Sequence, residues 1–231
     1  PTPNKPQRTA LAYPARFLVN RWGRRTGKSK GAMLKLYSCA KKKPNGLFWW
    51  VWPTLKAGRK FGWKQFLSRD LAGRATLNES DMAAILPNGA RIEVVGADRE
   101  HAQNLRGAAV DGAVLEECRN MQRFVWSEIV RPALMTTGGW CWFNSTPRGR
   151  DWFYKLDCFA RTARARERGW AALHFTSYDN ERIDPHEIDD LKSDLTEREI
   201  TQEIEAGFLT DGGTVFSNVE SQCSASPESP N

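Results

Sequence analysis

The sequence contains few residues of the kinds that build metal centres or disulfide frameworks. It has 3 histidines and 5 cysteines among 231 residues, and no Cys-x-x-Cys pair occurs. Zinc sites and disulfide scaffolds both depend on closely patterned ligands or pairs, so neither is indicated. Unpaired cysteines fit a reducing cytosol. His101 has no second ligand near it in the sequence and is assigned no metal role.

Long apolar runs are also missing. No stretch approaches the roughly 20 apolar residues that a transmembrane helix needs. The first residues are rich in Pro and Lys and lack the apolar segment of a secretory signal. We detect no internal repeat. These absences argue against a membrane partner, export and a repeat architecture.

The sequence does have an excess of basic residues. The net charge is +7 and the pI is about 9.3, which favours a polyanionic partner such as nucleic acid. Basic residues cluster at 56–64 and 161–168, where they form either a DNA-contacting surface or ordinary solvated helix faces. The length and the 40% hydrophobic content suit one large α/β domain, or a domain with a small appendage.

One stretch carries the pattern of a phosphate-binding loop. An apolar strand at residues 17–19 precedes it and a helical pattern at 31–37 follows it, so backbone N–H groups of the turn and helix would point at an anion. Lys28 would reach the β- and γ-phosphates and Ser29 would hold Mg²⁺. The usual spacing has Gly where Trp22 stands, so the loop is one residue short. The stretch reads Trp22-Gly23-Arg24-Arg25-Thr26-Gly27-Lys28-Ser29.

Two further strand ends carry polar groups suited to nucleotide hydrolysis. Glu116 and Glu117 follow the apolar run 113–115. From their order in the sequence, we expect Glu116 to hold the metal ion and Glu117 to act as general base or to position the water. The alternative is an ordinary strand end meeting solvent. Ser145 and Thr146 end the strand predicted at 140–144, where they could sense a γ-phosphate or hold water, or simply form a turn.

The remaining patterns predict secondary structure around these motifs. The aromatic run 47–52 is either a buried strand or a base-stacking surface, and residues 56–67 form a helix. A hairpin with a tight Asn-Gly turn joins 79–86 to 91–96. We also expect a short helix or loop at 98–107, helices at 124–135 and 184–209, and a strand at 173–176. Gln7 has an amide that suits the edge of an adenine.

In their order along the chain, these motifs resemble the ATPase domain of the large terminase subunit of tailed bacteriophages. The resemblance extends over about residues 7–216, and the shortened phosphate loop is a variant that this family uses. The matching segments are Gln7, Gly23 to Ser29, Trp52-Pro53-Thr54, Leu86-Pro87-Asn88-Gly89, Leu105-Arg106-Gly107, Leu115-Glu116-Glu117, Ser145-Thr146-Pro147-Arg148-Gly149, Tyr178-Asp179-Asn180 and Gln202-Glu203 to Phe208.

The resemblance implies a fold and a division of the chain. The fold is α/β, a P-loop NTPase of the additional-strand (ASCE, RecA-like) class, with a mainly parallel sheet flanked by helices and a small C-terminal helical lid. The ATPase core would occupy residues 1–176, the lid or linker 177–216, and a disordered tail 217–231.

The resemblance also implies a function. The chain would be an ATP- and Mg²⁺-dependent motor that moves double-stranded DNA into the prohead in the host cytoplasm. It would form a ring, expected to be a pentamer, on the portal protein and bind a small terminase subunit. The implied nucleotide contacts are Gln7, Gly23, Arg24, Arg25, Thr26, Gly27, Lys28 and Ser29.

Further site roles follow from the resemblance. Arg24 matches the arginine that acts in cis on the γ-phosphate, and Ser145-Thr146 match the motif that couples hydrolysis to movement. An arginine acting in trans on a neighbouring subunit would be Arg106 or, alternatively, Arg99.

Two departures from the family pattern stand out. The family usually has Asp where Glu116 stands, and large terminases continue into a nuclease domain whose expected position lies beyond this sequence, so no nuclease activity is expected in this chain. Two alternatives stay open: another DNA-dependent P-loop ATPase such as a helicase, and a non-hydrolysing DNA-binding or assembly protein that keeps the fold. Strand separation would favour the first, and a lack of ATP turnover the second.

Overall fold

A single eight-stranded sheet forms the centre of the computed structural model, which describes residues 2–209. Its order is β3-β4-β5-β2-β6-β7-β1-β8. The six strands β5-β2-β6-β7-β1-β8 are all parallel. Strands β4 and β3 extend the sheet beyond β5 as antiparallel neighbours. The strands are β1 (Phe17–Trp22), β2 (Leu47–Trp52), β3 (Thr76–Asn78), β4 (Ala83–Ile85), β5 (Arg91–Gly96), β6 (Gly112–Glu116), β7 (Trp140–Ser145) and β8 (Trp170–Phe175).

The position of β7 identifies the class of sheet. It lies between β1, which leads into the phosphate loop, and β6, which ends at Glu116. An extra strand between these two is the feature that gives the additional-strand class its name. The mainly parallel α/β fold that the sequence predicts is therefore confirmed.

Helices cover both faces of the sheet, as a parallel sheet requires. Residues 55–70 form one continuous helical stretch, in which the π-helical segment Gly58–Leu67 lies between two short α-helical turns. The α-helices are α1 (Lys5–Ala12), α2 (Lys28–Lys42), α3 (Leu55–Ala57), α4 (Ser68–Asp70), α5 (Arg99–Asn104), α6 (Arg131–Ala133), α7 (Trp152–Ala160), α8 (Ala163–Arg166), α9 (Pro185–Ser193) and α10 (Glu197–Glu199). None of the helices within residues 2–209 is both long and apolar enough to cross a membrane.

Alternation along the strands divides the core between the two faces. In β2, Trp50 and Trp52 pack on the face that carries α2, while Trp49 and Val51 pack on the opposite face. All four side chains are buried, at 5% exposure or less. The aromatic run of β2 is therefore core, and it is not available for stacking on bases.

Several boundaries differ from the sequence-based expectation. The hairpin pairs β4 with β5, but its loop has three residues, 87–89, closed by a hydrogen bond from Leu86 N to Ala90 O, in place of a two-residue Asn-Gly turn. Gly89 has φ +82°, the left-handed position that such a three-residue loop requires. Strand β3 extends the sheet beyond this hairpin and was not predicted.

The second half of the chain contains two more differences. Helix α7 was missed, because Trp152, Phe153 and Tyr154 do not stand out from a turn-rich segment. The single helix predicted at 184–209 is two helical pieces: α9 ends at Ser193, and Thr196 caps a new helix through its hydroxyl. The predicted tail at 217–231 lies outside the described residues.

Candidate nucleotide-binding site

The predicted site residues meet at the edge of the sheet where the parallel strands end. Strand β1 ends at Trp22, the loop follows, and α2 begins at Lys28. Strands β6 and β7 end at Glu116 and Ser145 on the same edge. Parallel α/β sheets bind ligands at this edge because the loops beyond the strand ends form the crevice.

The backbone of the phosphate loop forms a concave set of N–H donors. Arg25 has φ 58° and Gly27 has φ 85°, so two residues of the loop adopt the left-handed conformation that curls successive N–H groups inward. Within residues 2–209, the N–H groups of Arg25, Thr26 and Gly27 have no hydrogen-bond acceptor. They lie just before the N-terminus of the 15-residue helix α2, where an anion is favoured.

The carbonyl groups of the loop, by contrast, are held from outside. Four side chains donate to four consecutive carbonyls, and we call this set of donors the collar. The collar consists of Ser177 Oγ on Arg24 O (2.8 Å), Asn180 Nδ2 on Arg25 O (2.7 Å), Asn4 Nδ2 on Thr26 O (2.9 Å) and Gln7 Nε2 on Gly27 O (2.8 Å). Because these side chains hold the carbonyls outward, the N–H groups of the loop face inward.

Gln7 belongs to this collar through its side-chain amide. Its Nε2 donates to Gly27 O, and its Oε1 accepts from the Asn4 N–H at 2.9 Å. The side chain is buried at 4% exposure, so both ends of its amide serve the chain itself. Its contact with an adenine stays a prediction.

Lys28 is folded back into the loop. Its Nζ donates to Trp22 O at 3.2 Å, Gly23 O at 3.1 Å and Thr146 Oγ1 at 3.2 Å. Burial lowers the pKa of Lys28, and the carboxylates of Glu117 and Glu116 oppose that shift. A cation held only by neutral oxygens in a desolvated loop is suited to take a phosphate as its partner.

Glu116 is fully buried at the end of β6. Its Oε1 accepts from Ser29 Oγ at 2.7 Å, and its Oε2 accepts from Asn144 Nδ2 at 3.1 Å and from Trp50 Nε1 at 3.2 Å. Burial, reinforced by Glu117, raises the pKa of Glu116 to about 7, against these hydrogen bonds. Mg²⁺ takes hydroxyl and carboxylate oxygens as ligands beside substrate phosphates, so the adjacent oxygens of Ser29 and Glu116 fit this ion.

Glu117 occupies a different environment from its neighbour. Its φ of 49° places it in the left-handed region, which is costly for a residue with a side chain and marks a constrained position. Glu117 is half-buried and lines an open cavity of about 500 Å³ together with Ser29, Gln65 and Asn120. Both glutamates are thus close to Ser29: Glu116 is buried and hydrogen-bonded to it, whereas Glu117 lines the open cavity beside it.

The proposed coupling residues have unequal access to the site. Thr146 contacts Lys28 directly, whereas Ser145 is fully buried.

Within residues 2–209, no cluster of three or more His, Cys, Asp or Glu side chains is placed to hold a metal ion.

The arginines lie farther out. Arg24 pairs with Glu203 at 3.3 Å and remains largely exposed, so its cis role stays a prediction. Arg106 follows α5 and pairs with Glu128 at 3.1 Å on an exposed surface, and Arg99 is exposed at the start of α5. Both are accessible to a neighbouring subunit, and neither is assigned in trans by these contacts.

Sequence reasoning missed part of the site. Neither Asn4 nor Asn20 was identified. Asn4 could have been predicted as the N-cap of α1, because Asn-x-x-Gln forms a capping box and Pro6 stands in the first turn. Asn20 gives no local signal, since it stands inside an apolar strand. Its partner Asn144 lies 124 residues away.

Comparisons with known proteins show the family and the fold of this chain. The family model described as the N-terminal part of the terminase large subunit, T4likevirus-type, matches residues 23–222. The chain belongs to this terminase family. It is 29% identical to the terminase large subunit of Escherichia phage T5 over 230 residues, which is 93% of this chain and 50% of that protein. This terminase chain thus spans about half the length of that relative.

Solved structures show the same fold. The ATPase domain of the large terminase of Thermus phage P74-26 has a TM-score of 0.74 at 22% identity, covering 90% of this chain and 94% of that one. The large terminase of another thermophilic bacteriophage, solved in complex with ATP-γ-S, has a TM-score of 0.70 at 17% identity, covering 88% of this chain and 52% of that one.

Proposed function

We propose that this chain is the ATP-hydrolysing motor domain of a DNA-packaging terminase. The observation that carries the proposal is the pre-shaped loop of inward N–H groups, with Lys28 on one side and the Ser29–Glu116 pair on the other. A carboxylate that faces an open cavity, Glu117, completes the set of groups that hydrolysis of a nucleoside triphosphate needs.

Binding begins with the phosphates. The N–H groups of Arg25, Thr26 and Gly27 donate hydrogen bonds to phosphate oxygens. Lys28 leaves its three neutral oxygen partners and donates to a β- or γ-phosphate oxygen. Ser29 and Glu116 would hold Mg²⁺, which neutralises phosphate charge when bound.

Hydrolysis then needs an oriented water. Glu117 lines the cavity next to Ser29, so its carboxylate accepts a hydrogen bond from a water there and takes a proton from it. The water oxygen bonds to the γ-phosphorus while the bond from that phosphorus to the β–γ bridging oxygen breaks, and the products are ADP and inorganic phosphate. Arg24 leaves Glu203 and contributes positive charge to the γ-phosphate oxygens. Arg106, or alternatively Arg99, adds a second positive charge from a neighbouring subunit.

Coupling to movement runs through β7 and the lid. Thr146 loses its contact with Lys28 when that lysine turns to phosphate. Gln202 of the lid donates to Arg148 O at 3.0 Å, so the loop after Ser145-Thr146 and the lid respond together. The partners that fit the family are double-stranded DNA, the portal protein, a small terminase subunit and further copies of the chain in a ring, expected to be a pentamer, on the prohead in the host cytoplasm.

The test is ATP turnover by the purified chain. Lys28→Ala removes the phosphate-binding charge and should abolish turnover while the fold, followed by circular dichroism, is retained. Lys41→Ala, at the exposed end of the same helix, is the matched control and should turn over ATP like the wild type. Equal rates in both variants would refute the site. Absence of turnover in wild type that binds ATP would favour a non-hydrolysing assembly protein.

A further inference from the structure

A row of buried polar side chains crosses the sheet beneath the phosphate loop. Asn20 on β1, Asn144 on β7 and Glu116 on β6 lie at paired positions on adjacent strands, on the face that carries α2. Each is at most 1% exposed. Strands buried on both faces normally hold continuous apolar side chains, so three polar residues in line require a reason.

The hydrogen bonds along this row have a fixed direction. Asn144 donates from its Nδ2 to Glu116 Oε2 at 3.1 Å, and its Oδ1 accepts from Asn20 Nδ2 at 2.9 Å. Trp50 Nε1 on β2 donates to the same Oε2. Two donors from the flanking strands therefore occupy Oε2, while Oε1 is turned toward Ser29 and the start of α2.

We propose that Asn144 and Trp50, with Asn20 behind Asn144, are positioning residues that fix the Glu116 carboxylate with Oε1 toward the metal that accompanies the nucleotide. This rests on the proposed ATPase function. A glutamate has one more rotatable bond than the aspartate usual in the family, and the donors on β7 and β2 remove the freedom that this bond adds.

The state of Asn20 supports a role for the row beyond packing. Its Oδ1 is buried and has no donor within residues 2–209. A buried acceptor without a partner is unfavourable for the fold, so an apolar residue would serve packing better at this position. The one hydrogen bond that the Asn20 side chain does make fixes the orientation of Asn144.

The experiment compares the affinity of the chain for a fluorescent, non-hydrolysable ATP analogue in Mg²⁺ and in EDTA. The ratio of the two affinities measures the contribution of the metal site. Asn144→Leu should reduce this ratio about 10-fold or more, since loss of partners behind a metal ligand typically costs about 10- to 100-fold, and should leave the affinity in EDTA unchanged. Trp50→Phe keeps the ring packing and should reduce the ratio less, as should Asn20→Leu.

Trp142→Phe is the matched control. Trp142 is an equally buried indole on β7 that packs on the same face, without a hydrogen bond to Glu116, and its ratio should equal that of the wild type. If the wild type shows a metal effect that Asn144→Leu and Trp50→Phe retain in full, the inference is overturned. If Asn144→Leu fails to fold, Trp50→Phe decides in the same way. A wild type that binds no nucleotide under either condition overturns the proposed function, and the inference falls with it.

Discussion

At the scale of single residues, two adjacent glutamates differ because the chain turns between them. Glu116 ends a buried strand, and Glu117 adopts a left-handed conformation that points it to the open cavity. From their order in the sequence, we expect Glu116 to hold the metal ion and Glu117 to act on the water. The structure places Glu116 in the buried sheet and Glu117 at the open cavity. The assignment itself stays a prediction until it is tested in solution.

Separate substitutions distinguish the two roles. We expect Glu117→Gln to bind ATP nearly as the wild type does and to hydrolyse it at least ~100-fold more slowly, the usual scale for a lost general base. Glu116→Gln should instead weaken the Mg²⁺-dependent part of binding. Single-turnover hydrolysis and nucleotide binding, measured on both variants, provide the check, and the reverse pattern would exchange the two roles.

The pKa of Glu116 predicts how the stability of the nucleotide-free chain depends on pH. It is raised from 4.5 to about 7, so between these values the folded chain binds a proton that the unfolded chain has lost. Stability should therefore fall as pH rises through this window, by about 3 kcal/mol at most, and stay low above it. Urea unfolding at several pH values measures this, and Glu116→Gln should have a flatter profile. Parallel profiles in the two proteins would contradict the assignment.

At the scale of elements, β8 and residues 177–209, the described part of the expected lid, both pack against the phosphate loop through backbone hydrogen bonds. Gly23 N donates to Phe175 O at 2.8 Å, and Arg24 N donates to Glu203 O at 2.6 Å. A Cβ on Gly23 would lie 2.5 Å from Ile204 O and 2.9 Å from Ser177 N. Gly23 is thus required for close approach of the lid.

Substitution of Gly23 tests this contact. We expect Gly23→Ala to displace residues 177–209, to increase tryptic cleavage there and to lower the free energy of unfolding by about 1–3 kcal/mol, as overpacking does. Gly149→Ala is the control, since a Cβ there meets nothing within 4 Å. Equal cleavage in the two variants would show that the lid contact is not needed.

The elements also show how far sequence reasoning reaches. The loop, the strand-end carboxylates and the parallel core strands were predictable because local patterns of apolar runs, Gly and Lys define them. The π-helical segment Gly58–Leu67 was not, since its shape follows from packing: a Cβ on Gly62 would lie 2.6 Å from Trp52 Nε1. The collar was missed because its side chains come from both ends of the described chain, 176 residues apart for the contact of Asn4 with Asn180.

At the scale of the whole molecule, the net charge of +7 favours binding to the phosphate backbone of DNA. The basic residues of both predicted clusters are exposed. We expect weak binding to duplex DNA without sequence preference, with an affinity that falls steeply between about 50 and 200 mM salt as counterions are released. The motor function proposed above needs backbone contacts and little base readout.

Charge-neutral variants locate the contact. Replacement by Gln of the four basic residues on the first helical stretch should lower affinity and flatten the salt dependence; they are Lys56, Arg59, Lys60 and Lys64. The same change at Arg164, Arg166 and Arg168 is the comparison, and fluorescence anisotropy with a labelled duplex is the measurement. Salt-independent binding would contradict the expected backbone contacts. A separate assay tests the expectation that this chain has no nuclease activity: nicking of plasmid with Mg²⁺ or Mn²⁺ that disappears in Glu116→Gln or Glu117→Gln would contradict it.

The collar has a practical consequence for anyone who divides this chain. The boundary expected between core and lid, at residue 176, passes directly between β8 and Ser177, so a fragment that ends there keeps every residue of the phosphate-loop motif and loses half of the collar. The carbonyls of Arg24 and Arg25 would then be free to turn inward, toward the space a phosphate has to fill. Such a fragment would contain an intact motif and a damaged site, and its failure to bind nucleotide would say nothing against the motif.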